Sequence, residues 1–340
     1  MPTIGFIGLG NMGLGLCLSL ATSNTGMKVI GYDLGYSADM INTVTSGGIE
    51  GIEWVLPSEM AQKADVLFTS LPGPREVEQV MTVLLPLMKG IWVDMTTTSK
   101  TAALKMYRLA SDNNVQMVEA PVTGGSDGAW AGAGNFGCRG GKAVLLLGGP
   151  AHLMENHPIV GKALRSMGEV QRCGDKVGDG TAMKLITNGC EYVHAAVIGE
   201  ALAVARESGL SVKLTLQALA RSSGGSYCAS HDGQAVRVKD FDPSFPTVLA
   251  VKDLKCMDDL AKTASVGTPV MRAARKQYDE ALIKYGPDSP WLSLIRMSMS
   301  KTSMGEPKEE KAENLPGIDF DSLWKEKFGS LPKRRIVARL

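Results

Sequence analysis

What the chain does not carry narrows it first. Its 340 residues hold 36 Lys and Arg against 35 Asp and Glu, a formal net charge of +1. No excess of one sign draws it to nucleic acid or to an anionic membrane, and neither partner is expected. No run of eighteen residues lacks polar breaks, so no membrane span is read. The chain does not open on a basic segment followed by an apolar run and a cleavage site, so no secretory signal is read either. None of its six cysteines (Cys17, Cys138, Cys173, Cys190, Cys228, Cys256) forms a CxxC pair. They read as reduced thiols in a reducing compartment, with no metal site. Two of the four histidines, His152 and His157, flank Glu155 in a grouping that matches no metal motif and reads as a surface turn. No internal repeat recurs at a fixed period.

What is present describes a globular chain, 44% hydrophobic and 21% charged, long enough for two domains. Glycine is abundant, at 39 residues. The first cluster is Gly8-Leu9-Gly10-Asn11-Met12-Gly13, a GxGxxG. A strand, Thr3 to Gly8, runs into it, and an apolar helix leaves it from Met12 to about Ala21. A second strand, Lys28 to Tyr32, ends in Asp33, twenty positions after the last glycine. A lone GxGxxG is a weak signal, but in this strand–turn–helix–strand setting it is a strong one. The glycines permit a tight turn and close approach of a pyrophosphate, and the helix N-terminus favours the negative charge. Asp33 can bond the adenosine ribose. Its carboxylate repels a 2′-phosphate and no arginine follows closely, so NAD is expected over NADP.

Strands and helices go on alternating. Strands are expected at Asp65–Pro72, Gly90–Asp94, Val115–Glu119, Ala143–Gly148 and Gly168–Cys173. In an open parallel sheet the ligands sit at the carboxyl ends of strands, which makes Leu71, Pro72 and Thr97 candidate cofactor contacts. After the Val115–Glu119 strand comes Ala120-Pro121-Val122-Thr123-Gly124-Gly125. Its open backbone amides and neighbouring hydroxyl can hold a carboxylate without a cationic side chain. Residues 131–141 are a glycine-rich loop. The reading is an α/β chain: an N-terminal Rossmann-like domain over 1–175, an all-helical domain over 176–299, and a polar tail over 300–340. In the tail, Asp319 to Phe328 can form a short helix that docks on another subunit.

The helical part opens on Gly178-Asp179-Gly180-Thr181-Ala182-Met183-Lys184-Leu185-Ile186-Thr187-Asn188. Thr181 can cap a long apolar-rich helix that runs to about Ser208. Lys184 and Asn188, four apart, share one helix face. A lysine early in a largely buried helix needs a partner or a task; burial lowers its pKa, which suits it to proton exchange near neutrality. Further helices are expected at 211–221, 247–265, 268–285 and 289–299, with a turn at Phe241–Phe245 and with Lys252 and Asp253 in the third helix of this domain.

Taken together, Gly8–Gly13, Ala120–Gly125, Lys184 with Asn188, and Lys252-Asp253-Leu254 resemble the β-hydroxyacid dehydrogenases in order and separation, over about residues 1–298. This is the family of 3-hydroxyisobutyrate dehydrogenase, tartronate semialdehyde reductase and 6-phosphogluconate dehydrogenase. The resemblance implies a Rossmann-like domain joined by a long helix to an all-helical one, a β-hydroxy acid substrate, and a homodimer or homotetramer. It implies that Lys184 takes the hydroxyl proton, that Asn188 holds substrate, and that Thr123, Gly124 and Gly125 bind its carboxylate, with threonine where the family usually has serine. Lys252 resembles the lysine that contacts the cofactor from the second domain; Leu71, Pro72 and Thr97 match its cofactor loops. The chain departs at Thr187, where many relatives have asparagine or histidine, in the length of segment 131–141, and in the tail. No basic cluster beside Lys184 marks a phosphate pocket, which argues against 6-phosphogluconate. An imine or NADPH-preferring aldehyde reductase and a non-catalytic binding module are the rival readings; Lys184 and Asp33 stand against the first, and the intact Lys184, Asn188 and Gly124-Gly125 against the second. The expected location is cytoplasmic, with a peroxisomal alternative from the terminal Ala338-Arg339-Leu340.

Overall fold

The computed structural model describes residues 1–23, 25–35, 51–125, 129, 143–154, 157–238, 241–242, 244–303 and 305. Cys138, the 131–141 loop, the Asp319–Phe328 helix and Ala338-Arg339-Leu340 lie outside them. Strand β1 (Thr3–Ile7) lies between β2 (Lys28–Tyr32) and β4 (Val66–Thr69), parallel to both; β3 (Ile52–Trp54) extends the β2 edge. On the other side β5 (Ile91–Asp94) and β6 (Gln116–Glu119) continue the parallel run. Strands β7 (Val122–Thr123), β8 (Val144–Gly148) and β9 (Glu169–Gly174) complete a nine-stranded sheet in the order β3-β2-β1-β4-β5-β6-β8-β7, with β9 on β8. Strand β8 runs antiparallel to β6 and β7, and β9 runs parallel to β8. The central strands are buried along their whole length, as a sheet covered on both faces requires.

Helices cover those faces. Helix α1 (Asn11–Thr22) sits with α6 (Val160–Met167) in one apolar cluster, on the face of Phe6 and Phe68. Helices α2 (Pro57–Lys63), α3 (Pro74–Leu84) and α4 (Lys100–Asp112) pack the other face around Trp92. A short α5 (Ala151–Met154) precedes α6. His152 lies in α5, and His157 Nδ1 accepts the amide of Val160 at the start of α6.

Helix α7 (Asp179–Glu207) follows β9, and the remaining elements are helical: α8 (Val212–Ala220), a π turn (Cys228–Asp232), α9 (Gly233–Val238), α10 (Thr247–Thr263), α11 (Pro269–Tyr285) and α12 (Ser293–Ser300). The chain divides into two compact units, and the division falls inside α7, between Lys184 and Leu185. The second unit has its own core, with Tyr192, Ile198 and Leu202 of α7 among Tyr278, Trp291 and Ile295. Two sequence expectations need correction. The last helix starts at Ser293 rather than 289, because Pro290 bridges to Pro246 and the Ser289 and Pro290 carbonyls accept bonds from Thr247. And Thr181 does not cap α7: the helix starts two residues earlier, for the reason given below.

Candidate active site

The loop from β1 to α1 is built from glycines with separate duties. Gly8 has φ +94°, and a Cβ there would collide with the carbonyl of Ser70. A Cβ on Gly13 would collide with the carbonyl of Gly8, so this glycine lets α1 close on the strand. A Cβ on Gly10 would meet nothing within 4 Å. Gly10 is also the N-cap of α1, whose first turn has neither a side-chain cap nor an acidic residue. Open space before an uncapped helix start suits the pyrophosphate of a dinucleotide. Asn11 and Met12 stand in that first turn. Asp33 directly follows β2, and its carboxylate accepts the amides of Leu9 and Gly35, each at 2.7 Å. It is thus tied directly to the glycine turn, with lone pairs left for a ribose hydroxyl. These residues fit a nicotinamide dinucleotide.

A buried network holds the next two strand ends. Asp94 Oδ1 accepts from Thr69 Oγ1 at 2.9 Å and from the Thr96 amide at 3.0 Å. Trp92 Nε1 donates to Thr69 Oγ1, and Thr96 Oγ1 accepts the amide of Leu71 at 3.0 Å. Leu71-Pro72 and Thr97 are therefore carried by loops pinned to one another. Sequence reading picked out the loops but not the Asp94–Thr96–Thr69 network behind them.

The third strand end makes the link to α7. Glu119, the last residue of β6, is buried at 1% exposure. Its Oε1 accepts the amides of Gly178 at 2.7 Å and Thr181 at 3.0 Å, and its Oε2 accepts the Thr181 hydroxyl at 2.6 Å. A carboxylate from another strand thus supplies what a side-chain cap would, at the end of the helix that favours an anion. That is why Thr181 donates instead of capping. The close approach needs glycine on both sides: a Cβ on Gly148 would lie 2.6 Å from Glu119 Oε1, and one on Gly180 would strike the Leu146 carbonyl. Burial pushes the Glu119 carboxyl up to about 7; bonds from the Thr181 hydroxyl and the Thr181 and Gly178 amides oppose this, and the charge of Asp94 adds to it. Lys184 follows in α7 and is buried at 8% exposure. Past Glu119 the chain enters the loop Thr123-Gly124-Gly125, where Gly124 and Gly125 take φ of +103° and +68°. A Cβ on Gly125 would meet nothing within 4 Å.

In the second unit, Asn188 and Lys252 converge on one carboxylate. Asp253 Oδ2 accepts Asn188 Nδ2 and Tyr192 OH, each at 2.8 Å, and Lys252 Nζ pairs with Oδ1 at 2.9 Å. Burial, then Asp253, raises the Tyr192 hydroxyl well above its ordinary range, which keeps it a donor. Sequence reading noted Asp253 only as the neighbour of Lys252. Elsewhere in this unit, one oxygen or sulfur atom each of Glu191, Cys228 and Asp232 lies within 4.8 Å of the others. Burial, then the charges of Asp232 and Glu191, pushes the Cys228 thiol well up. Cys17, Cys173, Cys190, Cys228 and Cys256 are all free.

Comparison with known proteins agrees with this geometry. Residues 3–172 match the family described as the NAD binding domain of 6-phosphogluconate dehydrogenase. Residues 178–298 match that described as NAD-binding of NADP-dependent 3-hydroxyisobutyrate dehydrogenase. The chain is 29% identical to 2-(hydroxymethyl)glutarate dehydrogenase of Eubacterium barkeri, over 81% of this chain and 88% of that one. It is 31% identical to a probable 3-hydroxyisobutyrate dehydrogenase of Mycobacterium tuberculosis, over 78% and 87%. The crystal structure of 3-hydroxyisobutyrate dehydrogenase from Salmonella typhimurium shares the fold at a TM-score of 0.76 and 23% identity, covering 87% of this chain and all of that one. With a glycine turn fit for a dinucleotide, a buried lysine at the head of a clasped helix, and these relatives, the chain belongs to the β-hydroxyacid dehydrogenases, enzymes that oxidise or reduce hydroxy acids with a nicotinamide cofactor.

Proposed function

We propose that the chain interconverts a small β-hydroxy acid and its semialdehyde or keto acid, with NAD as cofactor and Lys184 as the proton-transferring group. The observation that carries this reading is Lys184 itself: a buried lysine five residues into α7, whose start is bonded to the strand that feeds the Thr123–Gly125 loop. A bound nicotinamide supplies the hydride acceptor. The protein's residues do the rest. The open amides of Gly124 and Gly125 and the Thr123 hydroxyl hold the substrate carboxylate. Neutral Lys184 Nζ takes the hydroxyl proton as the carbonyl forms; in the reverse direction it returns the proton. Asn188 orients substrate and Lys252 contacts the cofactor. The relatives support the substrate class, because 3-hydroxyisobutyrate and 2-(hydroxymethyl)glutarate both carry a hydroxymethyl group next to the carbon that bears a carboxylate. Asp33 supports NAD, since a carboxylate at the ribose disfavours a 2′-phosphate.

The test is nicotinamide absorbance against a panel of β-hydroxy acids, wild type beside Lys184→Ala and Lys184→Arg. Positioned proton transfer contributes about 10²–10⁴-fold in rate. Lys184→Ala should lose about that much in turnover while NADH still binds by fluorescence titration. Lys184→Arg should not recover it, because a guanidinium keeps its proton. A folded Lys184→Ala enzyme with more than about a tenth of wild-type turnover, chemistry being rate-limiting, removes the lysine from the mechanism.

A further inference from the structure

One buried carboxylate has no place in the chemistry just described. Glu119 neither lies in the glycine turn nor belongs to the Thr123–Gly125 loop, yet it makes three hydrogen bonds, to partners 59 and 62 residues along the chain. It ends β6, four residues before Thr123, and it grips the first turn of α7, three residues before Lys184. We propose that Glu119 is a positioning residue: by clasping the start of α7 from the end of the strand that leads into the Thr123–Gly125 loop, it sets the place of Lys184 relative to that loop. The proposal rests on the reading of Lys184 as the proton-transferring group and of the loop as the carboxylate holder.

The geometry favours this over a filler role. A residue that only filled space would be apolar, since a buried carboxyl is costly unless its bonds are met. Here all three donors come from one helical turn, and two glycines, Gly148 and Gly180, leave room for the carboxylate to reach them. Misplacing a reacting group by about 1 Å can cost about 10²-fold in rate, so a clasp one turn from Lys184 has leverage over turnover without touching substrate. The groups around it are Asp94 on β5, Cys173 on β9, and Asp179 at the head of α7, which pairs with Lys100 of α4 at 3.7 Å.

Four variants of the full chain test it. Glu119→Asp keeps the charge but is one methylene short of its donors. Glu119→Gln keeps the reach and can keep both amide bonds without charge, its NH2 donating to the Thr181 oxygen where the carboxylate accepts from it. Thr181→Val removes one donor at constant shape, and Thr181→Ser restores the hydroxyl. Amide exchange of residues 178–184 is measured first, because it needs no substrate. Steady-state kinetics with the best β-hydroxy acid of the panel follow, with the isotope effect of deuterium at the carbon that loses hydride. We expect faster exchange in Glu119→Asp and Thr181→Val. In Glu119→Asp we also expect a fall in kcat of about 10- to 100-fold, a larger isotope effect, and an NADH Kd within about twofold of wild type. Thr181→Ser should behave as wild type. Glu119→Gln, which keeps the reach, should hold most of its kcat. A merely structural role would lower stability and leave the isotope effect alone. The first variant that folds, in the order Glu119→Asp, Thr181→Val, decides: wild-type exchange and wild-type kcat in it overturn the proposal. Lys184→Ala runs in parallel. If it loses turnover while Glu119→Asp keeps it, the clasp alone fails. If Lys184→Ala keeps turnover, the lysine reading fails, and the exchange data still decide whether the clasp exists.

Discussion

Asp33 shows how much one carboxylate can be asked to do. It bonds the Leu9 amide inside the glycine turn, so it shapes the turn as well as standing where a ribose would lie. Asp33→Ala should therefore narrow the gap between NAD and NADP and also weaken both, whereas Asp33→Asn, which keeps the acceptor, should narrow the gap with less general loss. Ratios of kcat/KM for the two cofactors decide; a wild-type enzyme that uses NADP as well as NAD removes Asp33 as the selector. Glu119 makes a prediction about stability. Its carboxyl is raised from 4.5 to about 7 in the folded protein, so the folded state holds this proton more tightly than the unfolded chain does. The associated stability is fully present below about pH 4.5 and is lost as pH rises to about 7. Converted at about 1.4 kcal/mol per unit, the effect is on the order of 3 kcal/mol. Urea midpoints at pH 5 and pH 8 should therefore move further apart in wild type than in Glu119→Gln. Equal pH dependence in the two would show that the carboxyl is not raised.

At the scale of elements, glycines at the turns separate binding from folding. Gly10 has an ordinary φ of −70° and open space where a Cβ would stand. Gly10→Ala should leave the melting temperature near wild type and weaken NADH binding. Gly180→Ala forces a Cβ against the Leu146 carbonyl where α7 meets β8, and overpacking of this kind costs about 1–3 kcal/mol. It should lower the melting temperature by several degrees. Thermal melts beside fluorescence titrations separate the two, and a Gly10→Ala protein that binds NADH as tightly as wild type would refute the assignment of the turn. The same contrast shows what could be read before the structure. The β1–α1–β2 unit was legible because its signal is local: an apolar strand, spaced glycines, an acid at the next strand end. That Lys184 and Asn188 stand in one long helix was legible from the helical spacing of its apolar residues. The Glu119 clasp was not, because its meaning depends on donors some 60 residues away and on two glycines that look like ordinary loop residues. Thr181 was noticed, but for the wrong bond: a threonine before an apolar run looks like a cap until a better acceptor is known to sit beneath it. Asp253 was visible only as part of Lys252-Asp253-Leu254; nothing in the sequence says that Asn188, Tyr192 and Lys252 all meet it.

For the whole molecule, the open question is what covers α7. Among the described residues no helix is long and apolar enough to cross a membrane. Yet Ile186, Val197 and Val204 are 44%, 55% and 67% exposed along this one helix. Their separations of eleven and seven residues bring them back to the same face, with exposed Cys190 and half-buried Val193 between them. The opposite side, through Tyr192, Ile198 and Leu202, is in the core of the second unit. An apolar stripe that runs the length of a 29-residue helix is longer than scattered surface residues explain. The family resemblance implies a dimer or tetramer, and a second copy, laying the same stripe against this one, is the occupant we expect. Val197 lies near the middle, so Val197→Lys would put two charges face to face across a twofold contact, where they cannot both reach water. Light scattering at micromolar concentration should give a multiple of 36.1 kDa for wild type and a lower multiple for Val197→Lys. Val266→Lys, a similarly exposed apolar site at 57% but away from the stripe, should leave the mass unchanged. A wild-type monomer at that concentration would leave the stripe without this explanation, and equal masses for wild type and Val197→Lys would move the interface elsewhere.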